Sequence, residues 1–128
     1  MSKSETYRKG LAIRKKVLGA KYVEDSIAQA DEFMTHFQDY VTEHVWGATW
    51  VREGLSAKTR SMLNLAILTA TNRPHELKLH LKGALNNGVT KEEIREIFLH
   101  CGAYCGAPAA LDAFKVAKQV FDEEKQKP

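Results

Sequence analysis

A glutamate and a histidine one helical turn apart are the residues of this chain best suited to acid–base chemistry. Glu76 and His80 are four residues apart in a segment with helical periodicity, so both side chains can face the same cavity. An imidazole exchanges protons near neutral pH, and a carboxylate beside it can orient the ring or relay the proton. Glu76 and His80 are therefore a candidate catalytic pair. A capping glutamate and a histidine satisfied within the core would have the same spacing.

The other chemistry-bearing residues exclude several common sites. His75 and His80 are five residues apart, whereas a zinc-protease helix needs a separation of four. Cys101 and Cys105 have three residues between them, so they form neither a C-x-x-C redox pair nor half of a zinc site. We expect both cysteines to be small buried packing residues. The alternative is a thiol peroxidase or disulfide reductase that uses one of them.

The elements that must position these residues are helices throughout the chain, and the predicted fold class is all-α. Apolar residues recur at helical spacing in every long segment, and no convincing strand occurs. We expect an aromatic-rich loop or short turn over Val45–Leu55, and a central helix that is buried on nearly all sides over 57–71. We expect one helix to end at Gly19, another to run from Tyr22 to about Val45, and a third to span 74–86. A further helix should start after the capping box of Thr90 and Glu93, and the last should carry the apolar stripe from Ala110 to Phe121.

Composition limits the class of protein. A chain of 128 residues with 44% hydrophobic and 27% charged residues is an ordinary globular chain, and we expect a single domain over 1–128. The net charge of +3 combines a basic segment over 3–16 with an acidic one over 22–50. This pattern favours two oppositely charged helices that pack together or meet across a subunit contact, and it argues against nucleic-acid binding. The chain has no signal-like apolar region and no run of 18 apolar residues, so we expect a soluble cytoplasmic protein with no membrane partner.

Six short segments of the chain are informative as an ordered set, although each alone is weak. They are Arg14-Lys15-Lys16-Val17-Leu18-Gly19, Trp46-Gly47-Ala48-Thr49-Trp50-Val51-Arg52-Glu53-Gly54-Leu55, Thr59-Arg60-Ser61-Met62-Leu63, Glu76-Leu77-Lys78-Leu79-His80, Asn87-Gly88-Val89-Thr90 and Tyr104-Cys105-Gly106-Ala107-Pro108-Ala109-Ala110. In this order they resemble the carboxymuconolactone decarboxylase family, within the alkylhydroperoxidase D-like superfamily, and the resemblance covers nearly the whole chain.

The resemblance implies a helical fold of about six to seven helices and the decarboxylation of a small lactone carboxylate without a cofactor or metal. It implies that His80 protonates the substrate and that Glu76 orients the imidazole or relays the proton. The candidates for binding a carboxylate or an oxyanion are the arginines in or beside these segments, Arg14, Arg52, Arg60 and Arg73. Trp46 either walls the pocket or fills the core. A homo-oligomer is also implied, commonly a hexamer built as a trimer of dimers.

The chain departs from the thiol-dependent members of the superfamily. Those enzymes carry Cys-x-x-Cys four residues before a histidine, and an alignment on His80 puts Arg73 and Glu76 at the two cysteine positions. Neither residue has a thiol, so this alignment provides no nucleophile and no resolving cysteine. A helical oligomer without catalytic activity is the third alternative.

Overall fold

The computed structural model describes residues 3–127 and divides the chain into two compact units, one up to Ser56 and one from Ala57. Seven α-helices and one π-helix account for most of the described chain, and no strand occurs in residues 3–127. The predicted all-α class is confirmed. None of the described helices is both long and apolar enough to span a lipid bilayer.

The first unit contains helices α1 (Glu5–Leu18), α2 (Ala20–Ala28) and α3 (Glu32–Tyr40), followed by the π-helix (Val41–Trp50). The oxygen of Ser4 caps α1 by accepting a hydrogen bond from the Tyr7 backbone nitrogen. The predicted end of this helix at Gly19 is confirmed, because Gly19 has φ +96°, a conformation that side chains disfavour.

The prediction of one helix from Tyr22 to about Val45 is wrong. The chain breaks after Ala28, and the carboxylate of Asp31 caps a new helix by accepting from the Met34 backbone nitrogen at 2.9 Å. The predicted loop over Val45–Leu55 is also wrong over most of its length, because residues 41–50 form the π-helix. Its buried residues are Thr42, Trp46, Gly47 and Trp50, and its backbone follows the wider i→i+5 hydrogen-bond pattern rather than that of an α-helix.

The basic and acidic segments pack together inside the first unit, which confirms one of the two predicted arrangements. Lys3 pairs with Asp39 at 3.1 Å, and Lys15 pairs with Glu24 at 3.4 Å. Glycines bring the two backbones close, because a Cβ on Gly10 would overlap the Thr42 carbonyl oxygen and lie 2.6 Å from the Gly47 nitrogen. Because the two segments lie so close, their opposite charges neutralise each other within the first unit.

The second unit contains α4 (Ala57–Ala70), α5 (Pro74–Asn86), α6 (Lys91–Cys105) and α7 (Ala107–Gln126). The predicted capping box is confirmed, since Thr90 and Glu93 bond each other's backbone nitrogens. The core of this unit consists of Leu65, Leu77, Leu81, Ala84, Val89, Ile94, Phe98, Ala113, Ala117 and Val120.

The prediction that α4 is buried on nearly all sides is wrong. One of its faces is buried, with Ser61, Leu65 and Thr69, whereas Leu63 and Ile67 are 47% and 53% exposed. An apolar composition does not distinguish a helix enclosed by its own chain from one that presents an apolar face.

Candidate active site

His80 lies on the inner side of α5, between core residues of the second unit. The core positions of this helix include Leu77, Leu81 and Ala84, and His80 follows the same stripe but remains half-buried. The amide nitrogen of Asn64 on α4 lies 3.4 Å from its Nδ1. A hydrogen bond donated by this amide to Nδ1 leaves the ring proton on Nε2, so the orientation of Asn64 and the tautomer of His80 are linked.

The surroundings of His80 favour the neutral imidazole. Burial lowers its pKa from the ordinary value of 6.5 to about 4, because an apolar environment solvates a cation poorly. At neutral pH the ring is thus uncharged, with one nitrogen that donates and one that accepts.

The depressed pKa predicts a specific pH dependence of stability. Between pH 6.5 and about 4 the unfolded chain protonates this histidine whereas the folded chain does not. The stability that the neutral His80 imidazole contributes is therefore fully present above pH 6.5. It is lost as the pH falls toward 4, and the total loss in the free energy of unfolding is about 3 kcal/mol. Urea unfolding at a series of pH values measures the loss. This loss should be absent from the His80→Gln variant. Equal slopes of unfolding free energy against pH in the two proteins would contradict the assignment of the lowered pKa to His80.

Glu76 and Arg73 lie at the start of α5 and are both exposed. Pro74 occupies the first turn of the helix, and Glu76 is the acidic residue of that turn, where the helix dipole favours a carboxylate. Glu76 is one turn from His80, as the spacing predicted. Its role as an orienting or relay group stays a prediction, and so does anion binding by Arg73.

Arg14 is a buried cation in the first unit. Its side chain is only 5% exposed, and Nη1 donates to the Thr42 hydroxyl at 3.0 Å. Its Nε is buried and has no hydrogen-bond partner among residues 3–127. Burial lowers the pKa of the guanidinium, and a poorly solvated cation with a spare donor attracts an anion strongly. Anion binding by Arg14 stays a prediction.

The remaining predicted site residues have different surroundings. Trp46 is buried in the first unit and stacks on Trp50 with ring centroids 4.7 Å apart, so it fills the core there. Its role as a pocket wall stays a prediction. Arg52 is exposed after the π-helix, and Arg60 is half-buried on α4. Their roles in substrate binding are also predictions.

Sequence reasoning missed two polar residues that contact the candidates. Asn64 stands beside the His80 ring, and Thr42 receives the Arg14 hydrogen bond. Each was detectable as a polar residue within an apolar helical segment, where a side chain needs a partner. No group of three or more His, Cys, Asp or Glu side chains within residues 3–127 is arranged to hold a metal ion.

The prediction that both cysteines are buried is half correct. Cys101 is buried, with its Sγ 4.0 Å from the Ala66 carbonyl oxygen, whereas Cys105 is exposed near the end of α6. Burial, and secondly the neighbouring Cys105, raise the pKa of the Cys101 thiol. Cys101 is therefore a poor nucleophile, and Cys105 is the accessible thiol.

We expect the two thiols to react at very different rates. Ellman's reagent should modify Cys105 in the native protein, but Cys101 only when the helices open, at least about tenfold more slowly. Mass spectrometry of timed samples identifies the modified residue. Both Cys101→Ala and Cys105→Ala should retain the activity that the family resemblance implies, wherever they fold. Loss of turnover in folded Cys105→Ala, together with peroxide consumption by the parent protein, would instead favour the thiol enzyme.

The chain is similar to known proteins over most of its length. The model of the carboxymuconolactone decarboxylase family matches residues 35–119. The chain is 41% identical to 4-carboxymuconolactone decarboxylase of Acinetobacter baylyi over 123 residues, which is 96% of this chain and 92% of that protein. It is also 41% identical to nitrosuccinic acid decarboxylase of Metarhizium robertsii, over 91% of this chain and 82% of that protein.

Proposed function

We propose that this chain, which belongs to the carboxymuconolactone decarboxylase family, is a carboxy-lyase that converts 4-carboxymuconolactone to 3-oxoadipate enol-lactone. The reaction belongs to the β-ketoadipate pathway of aromatic catabolism. The observation that carries the proposal is the likeness, over nearly the whole chain, to 4-carboxymuconolactone decarboxylase.

The chemistry of this substrate does not require an electron-accepting cofactor. Loss of CO₂ from the γ-carbon leaves an electron pair, which the ring C=C and the lactone carbonyl delocalise as a dienolate. The protein must stabilise the developing oxyanion, bind the carboxylate that remains, and deliver a proton to the carbon beside the lactone carbonyl. These tasks need cationic groups, hydrogen-bond donors and one proton donor.

His80 is the proposed proton donor. Its imidazole is neutral in the free protein because its pKa is about 4, and an anion bound beside it raises that pKa by favouring the imidazolium. His80 would therefore take up a proton when the anionic substrate binds and transfer it to the ring carbon after CO₂ departs. Asn64 holds the ring through Nδ1, so Nε2 is the proposed donor atom, with Glu76 proposed to relay protons.

Arginine is the proposed ligand of the carboxylate or oxyanion. Arg14 is one candidate, and its guanidinium is almost fully buried. Arg52, Arg60 and Arg73 remain further candidates. Replacement of the true ligand by glutamine should raise KM, and also lower kcat if the contact strengthens in the transition state.

The direct test is the loss of lactone absorbance when the protein is added to enzymatically generated 4-carboxymuconolactone, with CO₂ release measured in parallel. Stoichiometric release of CO₂ at a rate proportional to protein concentration supports the proposal. Nitrosuccinate is the comparison substrate, because the likeness to nitrosuccinic acid decarboxylase is equally high. Its carbanion would be delocalised onto the nitro group. Turnover of nitrosuccinate alone would reassign the substrate, and turnover of neither would overturn the proposal.

We expect a homo-oligomer, and specifically a hexamer built as a trimer of dimers. Large apolar side chains remain exposed on several helices, including Phe33 on α3, Ile67 on α4 and Leu111 on α7, and such surface favours association. Light scattering should give about six times the 14.4 kDa chain mass. A stable monomer at micromolar concentration would contradict the expectation. A cytoplasmic location and a single domain over 1–128 also remain predictions, the latter supported by the family match across Ser56.

A further inference from the structure

The second unit contains a groove between α6 and α7 that the proposed reaction does not use. Its volume is about 420 Å³, a size at which pockets accommodate small organic ligands. The candidate residues His80, Glu76, Arg60 and Arg73 do not line it, and neither does any other residue of α4 or α5. It is therefore separate from the candidate catalytic histidine.

The floor of the groove is apolar and aromatic. Ile94 and Phe98 are almost completely buried beneath it, and Phe114 and Phe121 are half-buried along its sides. The rings of Phe98 and Phe114 meet edge to face with centroids 5.7 Å apart. Phe114 and Phe121 therefore offer partly exposed rings to a planar ligand, which would gain from both burial and aromatic contact.

The rim of the groove is strongly cationic. Lys91, Arg95, Lys118 and Lys125 surround the opening, and Asp122 is the one carboxylate among the lining residues. Asp122 pairs with Lys118 at 3.0 Å, whereas none of the ion pairs within residues 3–127 includes Lys91, Arg95 or Lys125. The Lys91 ammonium lies 5.0 Å from the Phe121 ring centroid, so it is held over the aromatic floor. Three cations are thus available to an anion.

We propose that the α6–α7 groove binds a small planar aromatic carboxylate. The ring of the ligand would contact Phe114 and Phe121, and its carboxylate would lie at the rim, where Arg95 can donate two parallel hydrogen bonds. A neutral aromatic molecule would leave the cations without a partner, and a small inorganic anion would leave the apolar floor exposed to water. The combination of floor and rim therefore selects a ligand with one aromatic and one anionic part.

Calorimetric titration of the full chain with 2-naphthoate tests the proposal, with 2-naphthamide as its uncharged analogue. We expect 2-naphthoate to bind with a Kd of about 1 mM or tighter and the amide to bind at least about tenfold more weakly. NMR contacts between the naphthyl protons and the rings of Phe114 and Phe121 should locate the ligand. Equal affinity for the two compounds, absence of binding, or contacts at another site would each overturn the proposal.

Charge variants provide the matched controls. The double variant Arg95→Gln, Lys125→Gln should weaken 2-naphthoate binding by about tenfold or more, whereas Asp122→Asn should strengthen it about threefold by releasing Lys118. Lys21→Gln removes an exposed cation of the first unit, paired with Asp25, and should leave affinity unchanged. Decarboxylation by all three variants should match the parent protein, so the groove and the proposed function can fail independently. Equal weakening of 2-naphthoate binding by Lys21→Gln would show that the effect depends only on net charge, and it would overturn the proposed site.

Discussion

Replacement of His80 by glutamine should lower turnover of the lactone by about 10²–10⁴-fold, the usual contribution of a positioned proton donor. Glutamine keeps much of the volume and can still donate a hydrogen bond, but it cannot gain and release a proton at this position. The loss should appear in kcat rather than in KM, because His80 transfers its proton to the ring carbon only after the substrate is bound. Stopped-flow or steady-state absorbance of the lactone measures both constants.

A second histidine on the same helix provides the control. His75 is exposed at the start of α5, so His75→Gln changes the same residue type without touching the core. It should leave both constants within about twofold of the parent protein. Circular dichroism verifies that His80→Gln is folded. Near-normal turnover in the folded His80→Gln protein would remove this residue from the mechanism, whereas equal losses in both variants would indicate a general effect on the helix.

Substitution of Gly10 by alanine should destabilise the first unit by about 2–3 kcal/mol. The added Cβ would overlap the Thr42 carbonyl oxygen and lie 2.8 Å from the Gly47 Cα. Those neighbours are backbone atoms, so no side-chain rotation can relieve the overlap, and α1 must move away from the π-helix. The gain of about 1 kcal/mol in helix propensity from glycine to alanine is too small to offset this cost.

Both tryptophans of the chain lie in the first unit, so their fluorescence reports on it directly. Trp46 and Trp50 are stacked and buried, and unfolding exposes them to water. Gly54→Ala is the control, because a Cβ there meets nothing within 4 Å. It should stabilise the chain by about 0.4–1 kcal/mol by restricting the unfolded state. Equal midpoints for Gly10→Ala and the parent protein would show that the two backbones are not as close as described.

Local signals in the sequence were sufficient to predict most helices of the second unit. Asn72-Arg73-Pro74 marked the start of α5, and the pair Thr90 and Glu93 marked the start of α6. The capping pair succeeds because a helix end must satisfy its own free backbone groups with residues a few positions away, and Pro74 succeeds because its fixed φ fits the first turn of a helix. The π-helix lacked a recognisable signal, since its buried residues Thr42, Trp46 and Trp50 are four apart, a spacing that an α-helix shares.

The chain by itself determined that its elements are helices, that Glu76 and His80 are one turn apart, and that the basic and acidic segments differ in sign. These properties depend on residue type and on separation along one helix. The tertiary structure alone decided that Asn64 stands beside the His80 ring, that burial lowers the pKa of that ring to about 4, and that Arg14 is buried. It also decided that Cys101 is buried while Cys105 is exposed. Solvation and hydrogen bonding depend on which distant segments pack around a side chain, and no local pattern encodes that packing.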